Sequence, residues 1–281
     1  MLECTGDEEQ TLYTQANALR KTTMGDDIHL RGIIEFSNIC SKDCRYCGIR
    51  RSNTSIIPYR ISDDEILETC IKMADWGYTS VVLQSGEDPY YTTDKLAGLI
   101  RQIKGKTSLA VTVCVGVRDR ETLQIWRDAG MDRYLLRFET SDPNLFAYCH
   151  PDEQFEKRLA CLATLAEIGV QLGSGFLIGL PGETLDQLAR DISYCTQLNL
   201  DMIGIGPYIS HPDTPFANQP NPFRVYEGAV RTGLPLLADT LETRYSALRC
   251  GAMPAPRPFS LESIAILFEL SLGISAWKAY G

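Results

Sequence analysis

The feature that most limits what this chain can fold into is a repeated alternation of two hydrophobic patterns. Short β-rich apolar runs at His29–Glu35, Ser80–Gln84, Leu109–Val115, Arg133–Glu139, Gln171–Ile178 and Met202–Tyr208 are separated by segments of a different period. Asp63–Trp76, Thr93–Ile103, Glu121–Ala129, Phe155–Ile168 and Leu185–Leu198 carry apolar residues at the spacing of one helix face. End signals agree. Ser62 with Glu65 three residues on reads as a capping box, Thr184 reads as a cap, and Gly77, Gly130 and Gly169 stand just past helices, where a left-handed residue is needed. β/α units of about 30 residues imply a parallel sheet with right-handed crossovers, either doubly wound or curled toward a TIM-like barrel.

Three of the ten cysteines, Cys40, Cys44 and Cys47, sit in Ile39-Cys-Ser-Lys-Asp-Cys-Arg-Tyr-Cys-Gly48, just after the first β-rich run. Three thiolates can hold three irons of a cubane 4Fe-4S cluster and leave the fourth open for chemistry. Closed structural zinc or cluster sites take four protein ligands, and no fourth cysteine lies nearby. A zinc knuckle or chance clustering of buried thiols is the competing reading. The spacing C-x3-C-x2-C, with Tyr46 just before the last cysteine, resembles the signature of the radical S-adenosylmethionine (SAM) enzymes.

Composition narrows the partners. With 281 residues and 44% hydrophobic content, the chain can bury one large core as a single domain. A net charge of -9 without a block of Lys or Arg argues against nucleic acid or an anionic membrane as partner. Met1–Gln10 is acidic where a signal peptide would be basic and then apolar, and no run of 18 apolar residues occurs, so the expected location is cytoplasmic. Cys4, Cys70, Cys114, Cys149, Cys161, Cys195 and Cys250 are dispersed, as reduced thiols would be.

No G-x-G-x-x-G follows the first strand; the cysteine loop occupies that place, at the face where parallel sheets put their active sites. The second strand leads into Leu83-Gln-Ser-Gly-Glu-Asp-Pro-Tyr-Tyr91. There Gly86 allows close backbone approach, and Ser85 or Glu87 could bond a ligand's ammonium group. Alone, the segment would read as a solvated turn. Glu139, at the end of the fourth strand, could accept from ribose hydroxyls or an ammonium, and Arg158 in the next helix could offer its fork to a carboxylate, although each by itself reads as a surface charge. The glycine-rich stretch Gly173–Thr184 lacks the P-loop lysine. Gly204-Ile-Gly-Pro-Tyr208 either shows backbone to an adenine edge or packs closely, and His211 reads as a turn residue before proline.

From Asp26 to Asn218 the chain resembles one branch of the radical SAM superfamily, the HydE-type maturases of FeFe-hydrogenase, related to biotin synthase. The runs Gln84-Ser-Gly-Glu-Asp-Pro-Tyr-Tyr91 and His211-Pro-Asp-Thr-Pro215 are the most discriminating. The resemblance implies a 4Fe-4S cluster on Cys40, Cys44 and Cys47, with Tyr46 beside the adenine of SAM. It places Ser85, Glu139 and Arg158 in contact with SAM. It further implies reductive cleavage of SAM to a 5′-deoxyadenosyl radical acting on a small-molecule or iron-containing precursor of the hydrogenase's diiron unit. A low-potential electron donor such as ferredoxin or flavodoxin, and other hydrogenase maturation proteins, are the partners it implies, with neither nucleic acid nor membrane. A biotin-synthase-like or methylornithine-synthase-like reaction is the alternative within enzymes, and a non-catalytic cluster or SAM carrier the alternative outside them.

Some positions depart from that family's pattern. Cys114-Val-Gly-Val117 stands where a hydroxyl and a carboxylate are usual, which makes Cys114 a cofactor-contact candidate of altered chemistry, and Phe138 replaces a histidine that would be a donor near the substrate. The expected organisation is a helical lead over residues 1–28, a β/α barrel core over 29–223 with six clear units, and a C-terminal segment, 224–281. That last segment, with a helix at Leu261–Leu272, would be a diverged or truncated barrel closure.

Overall fold

The computed structural model describes residues 2–25 and 30–219. The chain divides between Pro222 and Phe223, and the description concerns the first unit, Met1–Pro222. Its six strands are β1 Arg31–Ser37, β2 Ser80–Ser85, β3 Ala110–Cys114, β4 Arg133–Leu135, β5 Gln171–Ile178 and β6 Met202–Pro207. All neighbouring pairs are parallel and lie side by side in chain order. The helices are α1 Asp7–Met24, α2 Asp63–Asp75, α3 Thr93–Lys106, α4 Arg120–Asp128, α5 Pro143–Cys149, α6 Phe155–Ile168 and α7 Leu185–Gln197. Helix α1 buries none of its side chains. Among the described residues no helix is long and apolar enough to cross a membrane.

Alternation along each strand divides the sheet's two faces. Ile34, Phe36, Val81, Leu83, Val111, Val113, Tyr134, Leu136 and Leu172 join apolar residues of α2, α3, α4 and α6 in one continuous core. The intervening Glu35, Gln84, Cys114, Leu135, Gly173 and Met202 form one row across all six strands on the other face. There the guanidinium of Arg31 on β1 reaches the Met202 sulfur on β6 at 3.4 Å, so the sheet curls until its first and last strands meet side chain to side chain. The architecture is the first six units of a TIM-like barrel, a curled half-barrel.

Local signals explain most boundaries. The Ser62–Glu65 capping box forms, the Thr184 hydroxyl caps α7, and Gly77, Gly130 and Gly169 have φ of 85°, 108° and 76°. Strand β4 is shorter than its apolar run, expected to reach Glu139. The Ser174 hydroxyl replaces the ladder there, accepting from Phe138 N at 3.1 Å and donating to Leu136 O at 2.7 Å. Pairing resumes only at the Glu139–Phe176 bridge. Phe138 consequently points to the helix side, edge-on to Tyr194 at 5.2 Å, so the expectation that it removes a donor near the substrate is corrected. Helix α5 was not evident from periodicity, though Asp142 capping Asn144 and Leu145, followed by Pro143 in the first turn, supplies its start signal. His29, Cys250, the helix expected at Leu261–Leu272 and all of 224–281 lie outside the described residues.

Trp126 on α4 is fully buried, stacks on Tyr134 and donates its indole N–H to Thr93 O at 2.9 Å. Trp126→Ala should lower unfolding free energy by about 3–5 kcal/mol, measured by urea denaturation of the apo chain.

Candidate functional site

The cysteine loop leaves β1 at Ser37 and is seated on the turn that follows β2. Gly86 makes the seat possible: a Cβ there would overlap the Ile39 carbonyl and lie 2.7 Å from Cys40 Cβ. Two backbone bonds then fix the loop, Ser41 N to Glu87 O at 3.0 Å and Glu87 N to the Cys40 sulfur at 3.3 Å; Lys42 N donates to the same sulfur at 3.4 Å. On its far side the loop rests on α5, with Arg45 N bonded to Cys149 O at 2.9 Å. Asp43 N donates to Asp152 Oδ2 at 3.0 Å. After Cys47, Gly48 lies under the His211 ring, where a Cβ would come within 2.8 Å of Cδ2.

The loop's cations serve the loop itself. Asp43 accepts from Arg50 Nε at 2.7 Å and from the Ser52 hydroxyl at 2.7 Å, contacts that hold its carboxyl well below the usual carboxylate range. Lys42 faces Glu87 at 3.7 Å, and Arg60 grips Asp88. These ion pairs brace the loop and the turn beside it.

Tyr46 is oriented by a residue that sequence reading passed over. Its hydroxyl lies 2.9 Å from His150 Nε2, while His150 Nδ1 lies 3.1 Å from the Phe146 carbonyl. A carbonyl only accepts, so Nδ1 carries the proton and Nε2 accepts from the tyrosine. Burial, reinforced by the nearby Arg158 charge, pushes the His150 pKa down to about 3 and keeps the ring neutral.

Above the Cys114 row, the strand ends contribute the remaining candidates. Glu139 is 5% exposed, has φ of 67°, forms an ion pair through Oε1 with Arg137 Nε at 3.2 Å, and has no partner for its buried Oε2. A buried carboxylate with one oxygen unbonded is left able to accept from a ligand's donor. Arg158 is buried, and its fork is already taken: Nε and Nη2 donate to Glu153 at 2.7 and 2.6 Å, and Nη1 to Arg137 O at 2.8 Å. The Ser85 hydroxyl donates to Gly86 O at 2.7 Å. Glu87 turns away, its carboxylate accepting from Val117 N at 3.0 Å. Cys114 points into the concavity, and burial raises its thiol to about 11. Gly175 packs directly on the Gly204 backbone and serves close packing, whereas a Cβ on Gly206 would meet open space. His211 closes a turn, accepting from Thr214 N through its carbonyl at 3.2 Å.

The three loop thiols suit a multinuclear metal group. Burial raises Cys40, Cys44 and Cys47, the last to about 11, so metal uptake must displace protons. Each lies close enough to another to feel its charge. Among the described residues no three His, Cys, Asp or Glu side chains gather around a single ion. Tetrahedral zinc would need its sulfurs roughly 4 Å apart, whereas a cubane spreads its ligands over separate irons. Sequence reasoning also missed Asp88, Arg60, Arg137 and Glu153. Asp88 lies within the discriminating Gln84–Tyr91 run without a role of its own there, and the other three show only charge, which a surface residue gives equally.

Residues 34–195 match the family model of the Radical SAM superfamily. The chain is 46% identical over 210 residues to the FeFe-hydrogenase maturase subunit HydE of Thermotoga maritima, covering 75% of this chain and 60% of that protein. In structure it is similar to methylornithine synthase (PylB), with a TM-score of 0.75 at 25% identity over 80% of this chain and 67% of that one. It is also similar to the maturase HydG from Carboxydothermus hydrogenoformans, with a TM-score of 0.69 at 23% identity over 78% and 54%, a likeness of fold. The chain thus spans about 60% of the length of the HydE it matches.

A histidine of ordinary pKa near 6.5 when unfolded and about 3 when folded takes up its proton only in the unfolded chain between those values. His150 therefore contributes stability above pH 6.5 that is lost as pH falls toward 3, at up to about 1.4 kcal/mol per pH unit. His150→Gln should flatten the pH dependence of unfolding free energy over that window.

Proposed function

This chain belongs to the radical SAM superfamily, and from that premise we propose that it holds a 4Fe-4S cluster on Cys40, Cys44 and Cys47, binds SAM beside it, and serves in maturation of FeFe-hydrogenase. The observation that carries the reading is the buried Glu139 carboxylate, whose Oε2 has no partner and whose charge reaches Tyr46 and Cys47 of the three-thiol loop. When cluster and SAM are bound, the chemistry they supply is one-electron reductive cleavage of the sulfonium to a 5′-deoxyadenosyl radical.

The chain's own residues bind and orient. Tyr46, fixed by neutral His150, lies beside the adenine; Ser85 turns its hydroxyl from Gly86 O to the ligand; Glu139 accepts from the ligand's ammonium or ribose. Arg158 holds the end of β4 through Arg137 O and carries positive charge to a ligand carboxylate from beside Glu153. Cys114 and Gln84 face the space below, where the substrate sits. That substrate is a small molecule, an iron-containing precursor in the maturation reading, and the electron comes from a low-potential donor such as ferredoxin or flavodoxin. Other hydrogenase maturation proteins are its natural partners. The likeness to methylornithine synthase supports a second reading, a carbon-skeleton reaction on an amino-acid-like substrate. The higher identity to HydE favours the first.

The test is anaerobic: reconstitution with iron and sulfide, then dithionite and SAM, with 5′-deoxyadenosine quantified by chromatography. Formation supports a turning-over enzyme. A cluster confirmed by electron paramagnetic resonance without any product would leave a carrier. Cys44→Ala should abolish both the iron absorbance and SAM cleavage while circular dichroism of the apo chain is kept, because the thiolate is a ligand rather than part of the core.

A further inference from the structure

We propose that Asp88 and Arg60 are positioning residues for the iron–sulfur group: they hold the turn after β2 so that the Glu87 amide stays on the Cys40 sulfur. The inference rests on the cluster reading of Cys40, Cys44 and Cys47 and goes beyond it, since neither residue touches the thiols.

Asp88 is 1% exposed and its carboxylate is fully subscribed. Oδ2 accepts from the Ser37 hydroxyl at 2.7 Å and from Arg60 Nε at 2.7 Å; Oδ1 accepts from Arg60 Nη2 at 2.9 Å and from Tyr90 N at 3.0 Å. The two-pronged pairing with Arg60 is the strongest geometry a side-chain ion pair can take. The Tyr90 ring covers the guanidinium at 4.7 Å.

One carboxylate thus ties together three points of the chain. Ser37 is where the cysteine loop leaves β1, and Arg60 is where it returns, bridged to Ser37, with Ile61 N bonded to Phe36 O at 2.8 Å. Asp88 itself sits in the turn after β2, directly following Glu87. Glu87 N donates to the Cys40 sulfur and Glu87 O accepts from Ser41 N, so the residue that meets the ligand cysteine is the immediate neighbour of the clamp. Removing Arg60 leaves the buried Asp88 charge with only the Ser37 hydroxyl and the Tyr90 amide as partners, and the turn must move to hydrate it. The amide on Cys40 moves with it. Hydrogen bonds to ligand sulfurs set how firmly such a group is held and at what potential it is reduced.

The experiment uses the full chain, reconstituted anaerobically, as wild type, Arg60→Met, Arg60→Lys and Asp88→Asn. Three quantities are read: the rate of iron release to a chelator, the reduced-state electron paramagnetic resonance spectrum with its midpoint potential, and melting of the apo chain. Arg60→Met and Asp88→Asn should release iron about 10-fold to 100-fold faster than wild type and shift the potential, beyond what any fall in apo melting accounts for. Arg60→Lys, which keeps the charge but loses the fork, should fall between. Should Asp88→Asn fail to fold, Arg60→Met decides the matter, because the Arg60 side chain is 39% exposed. Release rate and potential equal to wild type in Arg60→Met would overturn the proposal, as would losses that only follow a drop in apo melting. A wild type that takes up no iron would overturn the cluster reading itself, and the proposal with it.

Discussion

Parallel pairing in strict chain order is the constraint from which the rest of this structure follows. A strand that must lie parallel to its predecessor cannot be reached by a hairpin, so each connection travels back over one face and delivers the next strand with the same polarity. All the carboxyl-terminal ends then come to one rim. The cysteine loop after β1, the turn after β2, Cys114 at the end of β3, Glu139 after β4 and the His211 turn after β6 are neighbours for that reason alone. Helices gathered on the opposite face leave the concave side to residues that need not be apolar, which is why Glu35, Gln84 and Cys114 form a continuous row there.

At this rim, charge is buried under two regimes. Asp88 with Arg60 and Arg158 with Glu153 are matched fork to fork, each group offset by a partner that satisfies it in direction as well as sign. Such pairs contribute rigidity more than net stability, since desolvation consumes most of their attraction. Glu139 is under the other regime. It is held by Arg137 through one oxygen only, and its backbone sits where side chains other than glycine are rare. The contrast is one of completeness: the pairs that locate the loop are satisfied on every side, whereas Glu139 keeps one buried oxygen unbonded.

Much of this was legible in the residues. Strands β1, β2, β3, β5 and β6 fall within two residues of their apolar runs at the described ends, α6 and β5 match their expected spans, and the capping signals at Ser62 and Thr184 act as read. Period and caps are local physics, and local physics survives folding. What escaped was non-local. The end of β4 is set by a serine hydroxyl from β5, a competition no single-strand pattern displays. Phe138 stands where the resemblance puts a histidine near the substrate, yet strand alternation turns it toward α7. His150 and Asp88 acquire meaning only from what folding brings to them, a tyrosine hydroxyl in one case and both ends of a loop in the other.

The meeting of Gly48 and His211 ties together two segments more than a hundred and sixty residues apart. The imidazole rests on the space that a missing side chain leaves, so a methyl group at position 48 would push the ring aside. The turn after the sixth strand, though far from the thiols in sequence, is thereby a sensor of how the cysteine loop is seated.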